Sequence, residues 1–356
     1  MNNALLEIVR IVVGKQTASI TPSYIYLKYI YNEAVKQAID GAVMDGVISL
    51  MPIQDVTSSL GTFKLRWIAN SLKLEQRNEL VNLRVRQLVK TFSDGGYRSC
   101  VLKGQGVALL YPNPKRRRCG DIDLWVEGER DEVVNFIRSK GVKVYDVHIV
   151  HATAAFFEDV PVEIHFRPSW MYNPILDRKL QKFFTEQASE QFANYDESVG
   201  FAYPTIYFNL VHSMVHINRH IFEEGIGLRQ LMDYYYILQH STQQERSDAY
   251  KVLCSVGLKK FVGAVMYVLK QVFLLEDDLM LCKPNAVLGQ HLLDSIIAGG
   301  NFGRALGLKH GRNKLEKGLL QWKHNLQLML PYANEVMWIP AFQVCHYVWR
   351  KRKGYL

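Results

Sequence analysis

The chain has 356 residues, 48% of them hydrophobic and 22% charged, the balance of an ordinary folded protein with room for two or three domains, which excludes a disordered or low-complexity chain. Lys and Arg outnumber Asp and Glu by 43 to 34, and the resulting charge of +9 suits phosphorylated or polyanionic partners without requiring them. Five cysteines, Cys100, Cys119, Cys254, Cys282 and Cys345, are odd in number and widely spaced with no CxxC pair; they mark neither a disulfide framework nor a zinc site and fit a reducing cytoplasm.

The first segment, MNNALLEIVRIVVGK, lacks the leading positive charge and cleavage site of a signal peptide and reads as a short amphipathic helix. YIYLKYIYNEAVKQAI reads as a second helix and the stretch 63–92 as a long third, with apolar residues at spacings of three and four. No run approaches the roughly 20 apolar residues of a membrane span. SDGGY at 93–97 breaks the pattern, RSCVLKG follows as a short strand, and GVALLY is a brief helix halted by PNPK. CGDIDLWVEG reads as a strand, and residues 130–140 as an amphipathic helix closed by Gly141. KVYDVHIV, ATAAFFED and VPVEIHFRP are three further strands.

Helical periodicity resumes near 175 and runs almost to the end through PTIYFNLVHSMVHINRHIF, GLRQLMDYYYILQ, KKFVGAVMYVLKQVF and AFQVCHYVWR. This order predicts an α+β fold, with a small mixed β-sheet core at 93–172 between an N-terminal helical unit at 1–92 and a C-terminal helical domain at 173–356. RKRK at 350–353 reads as a solvated tail, and GGNFG at 299–303 as a turn between helices with no preceding strand to make it a phosphate loop.

Within GDIDLWV, Asp121 and Asp123 are two apart on a strand and point to one face, although their neighbours suit a packed environment. Two like charges held together imply a cation between them or a proton on one of them. Glu163 in VPVEIHFRP points away from Val162 and Ile164 and can join them from a neighbouring strand. Three carboxylates on one face form a hard, oxygen-rich site suited to Mg²⁺ together with phosphate oxygens. Upstream, VLKGQG ends a strand and opens a helix at 103–106, where glycine lets backbone N–H groups approach a phosphate and Lys103 adds a charge; a merely structural turn has the same composition.

LKG, a short helix, a basic turn, GDIDLWV and a later EIHFRP together resemble the nucleotidyltransferase fold of the DNA polymerase β type. More narrowly, they resemble uncharacterised bacterial nucleotidyltransferases with the pattern LKG, RxxGDIDLLV and VEIHW. The resemblance covers about 98–170 and extends loosely to GLRQLMD at 227–233 and GGNFG. It implies that Asp121, Asp123 and Glu163 are catalytic and bind Mg²⁺ or Mn²⁺ carrying a nucleoside triphosphate, with Lys103, Gly104, Gln105, Arg117 and Gly120 around the nucleotide. Gly104-Gln105 stands where the family has glycine-serine, and Arg117, four before the first aspartate, either meets phosphates or holds the turn. The implied reaction is attack of an acceptor hydroxyl on the α-phosphate, the acceptor being a small molecule rather than nucleic acid. The alternatives are a catalytically silent nucleotide-binding or scaffold protein of the same fold, or a transferase acting on RNA ends.

His148, His151 and His165 lie in or near the strands, as contacts to substrate, as a general base or as structural groups; His165 is the acceptor-side candidate. His212, His216 and His220 share one helical face, a spacing that permits a metal but more simply serves packing. Arg229 and Asp233, four apart, suit a helix ion pair. As helical acids do in some members of the superfamily, Asp233 would alternatively face the cleft and activate the acceptor.

Overall fold

A computed structural model describes the protein over residues 3–15, 24–50, 57–301 and 335–355. Four helices come first: α1 (Asn3–Val12), α2 (Tyr24–Lys36), α3 (Asp40–Leu50) and α4 (Ser59–Ser93). The stretch 24–39, read as a helix, is α2 as far as Lys36; the chain then turns through a left-handed Ala38 (φ +58°), and α3, which the sequence reading did not single out, starts at Asp40. Ser58 caps α4, its hydroxyl accepting from the Gly61 N–H at 3.0 Å. With 35 residues, α4 spans two environments. Its first half buries Trp67 among the helices, and its second half lays Val81, Val85, Leu88 and Phe92 on the sheet.

The sheet has five strands, β1 (Ser99–Leu102), β2 (Ile122–Val126), β3 (Val144–Val147), β4 (His151–Ala154) and β5 (Val162–His165), in the order β1-β2-β5-β4-β3. Only β2 and β5 run parallel, so the sheet is mixed and β2 lies inside it. The short helix α5 (Gly104–Ala108) follows β1, and α6 (Arg130–Ser139) follows β2. All five residues of β2 are buried because both faces are covered. Ile122, Leu124 and Val126 meet α4 and α6, while Trp125 on the other face packs against Phe192 and Phe208.

The remaining helices are α7 (Pro174–Ala193), α8 (Ile206–Glu223), α9 (Leu228–Gln239), α10 (Gln243–Ser255), α11 (Lys259–Phe273), α12 (Ala286–Gly299) and α13 (Ile339–Lys353). One apolar core joins Leu5, Val43 and Trp67 of the first helices to Phe208, Leu231 and Phe261 of the later ones, so helices on either side of the sheet in sequence meet in space. The fold is α+β, a small mixed sheet flanked by helices. Among the described residues no helix is long and apolar enough to cross a membrane.

Besides α3, periodicity does not single out four elements. The hairpin β6 (Tyr195–Asp196) and β7 (Phe201–Ala202) is too short to show any. In α10 the sequence is mostly polar, and its signal is the capping box of Thr242 and Glu245. Asn285 caps α12, whose side chain accepts from Leu288 N–H at 3.1 Å. RKRK is not a free tail: it forms the last turn of α13, where Arg350 pairs with Asp146 and Lys353 with Asp131 at 2.8 Å. In GGNFG, Asn301 meets Gln230, whose Nε2 donates to its side-chain oxygen at 3.1 Å; Phe302 and Gly303 lie outside the described residues.

Because α4 carries the sheet, Leu88→Ala should cost about 2–5 kcal/mol in denaturant unfolding. Leu72→Ala, 48% exposed on the same helix, should stay within about 0.5 kcal/mol. Equal losses at the two positions would contradict the packing of α4 on the strands.

Candidate active site

The register of the sheet assembles the polar groups. Asp123 on β2 lies opposite Glu163 on β5, and on the other side of Glu163 stands Thr153 of β4. His165, two residues along the same face as Glu163, lies opposite His151. Asp121, just ahead of β2, reaches the same place from the mouth of the site. Carboxylate oxygens of Asp121, Asp123 and Glu163 all fall within 4.8 Å of one another.

Asp123 is buried, and its Oδ1 accepts from Lys103 Nζ at 2.7 Å and His165 Nε2 at 2.9 Å. Burial opposes its charge, but Lys103 and His165 outweigh that and hold its pKa well below the usual carboxylate range. Asp121 goes the other way: the Asp123 charge first, and then desolvation, push it up to about 6. Thus a cation lies against one of the two aspartates, and the other takes up a proton close to neutrality. Burial opposes the charge of Glu163, but its bond to His165 and the attraction of His151 and His165 together hold it below its ordinary value.

Both nitrogens of His165 are engaged, Nε2 by Asp123 and Nδ1 by the Arg167 carbonyl at 3.3 Å. Burial works against its charge, yet the bonds to Asp123 and Glu163 prevail and raise its pKa. His151 differs: burial, and then the charge of His165, push it down to about 4, so at neutral pH it is an uncharged imidazole.

Lys103 adopts φ +50°, ψ −132°, a backbone region sparsely used by residues with a side chain, and Gly104 follows at φ +26°. Such strain costs of order 1–3 kcal/mol and persists where the surroundings enforce it; here the buried ion pair with Asp123 does so. Gln105 turns inward, its Nε2 donating to Asn82 Oδ1 at 2.6 Å.

The run Arg116 to Arg118 is bound to carboxylates of the surrounding helices. Arg116 meets Glu75 of α4 at 2.9 Å and Asp45 of α3 at 3.4 Å. Arg118 is bidentate to Asp40 at 2.9 and 2.7 Å. Arg117 is buried and bidentate to Asp233 of α9, both bonds 2.7 Å, while Tyr111 donates to the same carboxylate at 2.6 Å. Arg229 reaches the Arg118 carbonyl at 3.2 Å. At Gly41 a Cβ would lie 2.2 Å from the Arg116 carbonyl oxygen, so only glycine lets α3 approach this loop. Asn78 of α4 secures it from the other side, donating to the carbonyls of Lys115 and Arg117.

These groups border a cavity of about 330 Å³. Of the residues singled out in the sequence, Lys103, Gly104, Arg117, Gly120, Asp121, Asp123, His151, Glu163, Arg229 and Asp233 line it, whereas Gln105 and His165 do not. Its far side is one that sequence patterns did not single out: the Arg219 guanidinium lies 3.7 Å from the Trp170 ring centre, and Glu223 accepts from Tyr172 at 2.7 Å. Of the α8 histidines, His212 is buried against the Pro168 carbonyl at 3.1 Å and pushed down to about 3 by burial, while His216 and His220 line the cavity. Among the described residues the α8 histidines form no metal-binding group; two other sets do, the three carboxylates and a second composed of His151, Glu163 and His165. The carboxylate set fits a hard divalent cation by donor type.

A mixed sheet thus presents three carboxylates and a lysine to one cavity walled by helices. A family model described as uncharacterised nucleotidyltransferase matches residues 32–274. The chain belongs to this family. No curated protein matches the sequence.

Arg117→Met would leave Asp233 without its cation and should destabilise the protein by about 3–5 kcal/mol. Arg117→Met combined with Asp233→Leu should lose much less than the sum of the single changes in denaturant unfolding. Strictly additive losses would mean that the two side chains do not act as a pair.

Proposed function

We propose that the protein transfers a nucleoside monophosphate from a nucleoside triphosphate to a hydroxyl group of a small molecule, with Mg²⁺ or Mn²⁺ held by Asp121, Asp123 and Glu163. The observation that carries this reading is the convergence of the three carboxylates on one cavity beside Lys103. A divalent cation bound there supplies charge neutralisation for phosphate oxygens in phosphoryl transfer. Lys103, at the strained turn between β1 and α5, provides a fixed positive charge on the cavity wall. His165 acts as a positioning residue, bonded to Asp123 from behind. The same place belongs to Arg117, whose fork is taken up by Asp233. Asp233 lines the cavity but gives its oxygens to Arg117 and Tyr111, so its role is to hold the wall around the acceptor.

The preference for a small acceptor rests on the size of the cavity, about 330 Å³, and on the arginine run, whose charges are paired rather than arrayed as a groove for a nucleic acid backbone. Gln105 directs its amide to Asn82, so in this reading any phosphate contact at that turn comes from the backbone, Gly104 and Lys103.

The direct test is a survey of the four nucleoside triphosphates with Mg²⁺ or Mn²⁺ and a pool of hydroxylated metabolites, following pyrophosphate release, with calorimetry of metal–nucleotide binding in parallel. Wild type should release pyrophosphate, and Asp123→Asn should lower both rate and binding by roughly 100-fold or more, beyond the ~10–100-fold typical of a residue that only supports a ligand. Unchanged metal–nucleotide binding in Asp123→Asn would remove the assignment. The pH dependence follows from Asp121. Its pKa of about 6 lies above the ordinary carboxylate value, so a proton competes with the cation as pH falls through 6. Apparent Mg²⁺ affinity should drop about tenfold between pH 7 and pH 5, and a flat calorimetric profile over that range would contradict it.

A further inference from the structure

Beside the carboxylate set, His151, Glu163 and His165 bring a second kind of donor to the same sheet. The three come from two neighbouring antiparallel strands, with His151 directly opposite His165 and Glu163 two residues before His165 on the same face. Side chains placed by register on adjacent strands hold their spacing more rigidly than loop residues do. Glu163 Oε2 lies 3.5 Å from His165 Nε2 and 3.8 Å from His151 Nε2. Two ligands bonded at 2.0–2.1 Å to a tetrahedral ion are about 3.3 Å apart, so both separations are within about half an ångström of a coordination edge. Ligand atoms of all three residues fall within 4.8 Å of one another.

Two further observations point to an ion. His165 directs Nδ1 to the Arg167 carbonyl at 3.3 Å, the outer bond that orients a metal-ligating imidazole and leaves Nε2 facing the donor set. His151 Nδ1 is buried without a hydrogen-bond partner, so in the structure as it stands no neighbour fixes the tautomer of this ring. A shared cation would add coordination to the hydrogen bonding that already joins His165 to Asp123 and Glu163.

We infer that His151, His165 and Glu163 form a second cation site, selective for a divalent first-row transition ion such as Zn²⁺ or Co²⁺ rather than Mg²⁺. Two nitrogens and one carboxylate suit borderline ions, whereas the neighbouring oxygen set suits hard ones. Three protein ligands leave a fourth position open, and His151 and Glu163 border the cavity, so that position faces the space where substrate would sit. Occupancy exchanges the His165 Nε2 bond to Asp123 for coordination, while Lys103 continues to pair Asp123. This deepens the proposed function by placing a second cation at the same site, with Glu163 shared between the two, but it stands on imidazole geometry rather than on nucleotidyl transfer.

The test is titration of the full chain with Co²⁺, read by visible absorption, and with Zn²⁺ in competition. Wild type should develop the intense visible bands of a four-coordinate, nitrogen-ligated Co²⁺, and Zn²⁺ should abolish them. His151→Ala should lose the bands and weaken binding by roughly 100-fold or more, exceeding the ~10–100-fold effect of a supporting residue. Asp121→Asn, which removes a ligand of the carboxylate set only, should keep them. Because His151→Ala is open to misfolding, circular dichroism and the more conservative His151→Gln accompany it, and X-ray absorption at the zinc edge of wild type should count two imidazoles without any variant. Bands that survive in both His151 variants, bands lost equally in Asp121→Asn, or a zinc edge with oxygen ligands alone each overturn the site. Metal–nucleotide binding with Mg²⁺, measured on the same samples, reports separately on the carboxylate set; its persistence while Co²⁺ shows no nitrogen ligation would defeat this inference and leave the proposed function standing.

Discussion

A carboxylate buried inside a sheet is costly unless cations meet it, and the effective penalty for one such ion is several kcal/mol. Asp123 is in that position, and the neighbouring elements are arranged around the need. Lys103 follows β1 directly, held at a positive φ with its ammonium on Asp123 Oδ1, and β5 brings His165 to the same oxygen. With Asp123 locked in its charged form, its field falls on Asp121 at the mouth and raises that group toward neutrality. The site therefore has a graded set of carboxylates, Asp123 held in its charged form by Lys103 and His165 and Asp121 raised by the Asp123 charge and by desolvation.

The basic character of the chain has a structural destination at the next level out. Arg116, Arg117 and Arg118 follow one another in sequence, but their guanidinium groups diverge to α3 and α4, to α9, and to the start of α3. The loop before β2 is thereby tied to helices from both ends of the chain. The tie sets the position of α9 against the sheet and with it one wall of the cavity. Removing any one of these carboxylates would alter the fit of a wall as well as a charge, since the three arginines are held by α3, α4 and α9.

Much of the architecture was legible because it depends on local patterning. Apolar residues at three and four spacing marked the long helices, alternation marked β2 and β5, and the Asp121, Asp123 and Glu163 group could be proposed from strand parity alone. Elements of low amphipathic contrast were not legible: α10 is stabilised by its capping box and its packing on α8, and the two-residue strands β6 and β7 exist only through pairing with each other. The direction of the arginines was equally hidden. Arg229 and Asp233 have the spacing of a helix pair, yet Asp233 takes Arg117 from 116 residues away, because a bidentate fork reaching across a buried interface gains more than an i,i+4 contact on a helix surface.

By itself, the sequence determined the period of each strong element, the face on which each acid of the DID pair would project, and the likeness to nucleotidyltransferases, since all three are properties of short contiguous stretches. Tertiary structure decided which groups meet: that His151 stands across from His165, that Lys103 lies against Asp123, and that the RKRK cluster is docked on Asp146 and Asp131. The reason is physical. Electrostatic and hydrogen-bonding partners are selected by distance and burial in three dimensions, and strand register, which brings residues 151 and 165 together with 123 and 163, is set by packing of the whole sheet between α4 and α8 rather than by any residue's immediate neighbours.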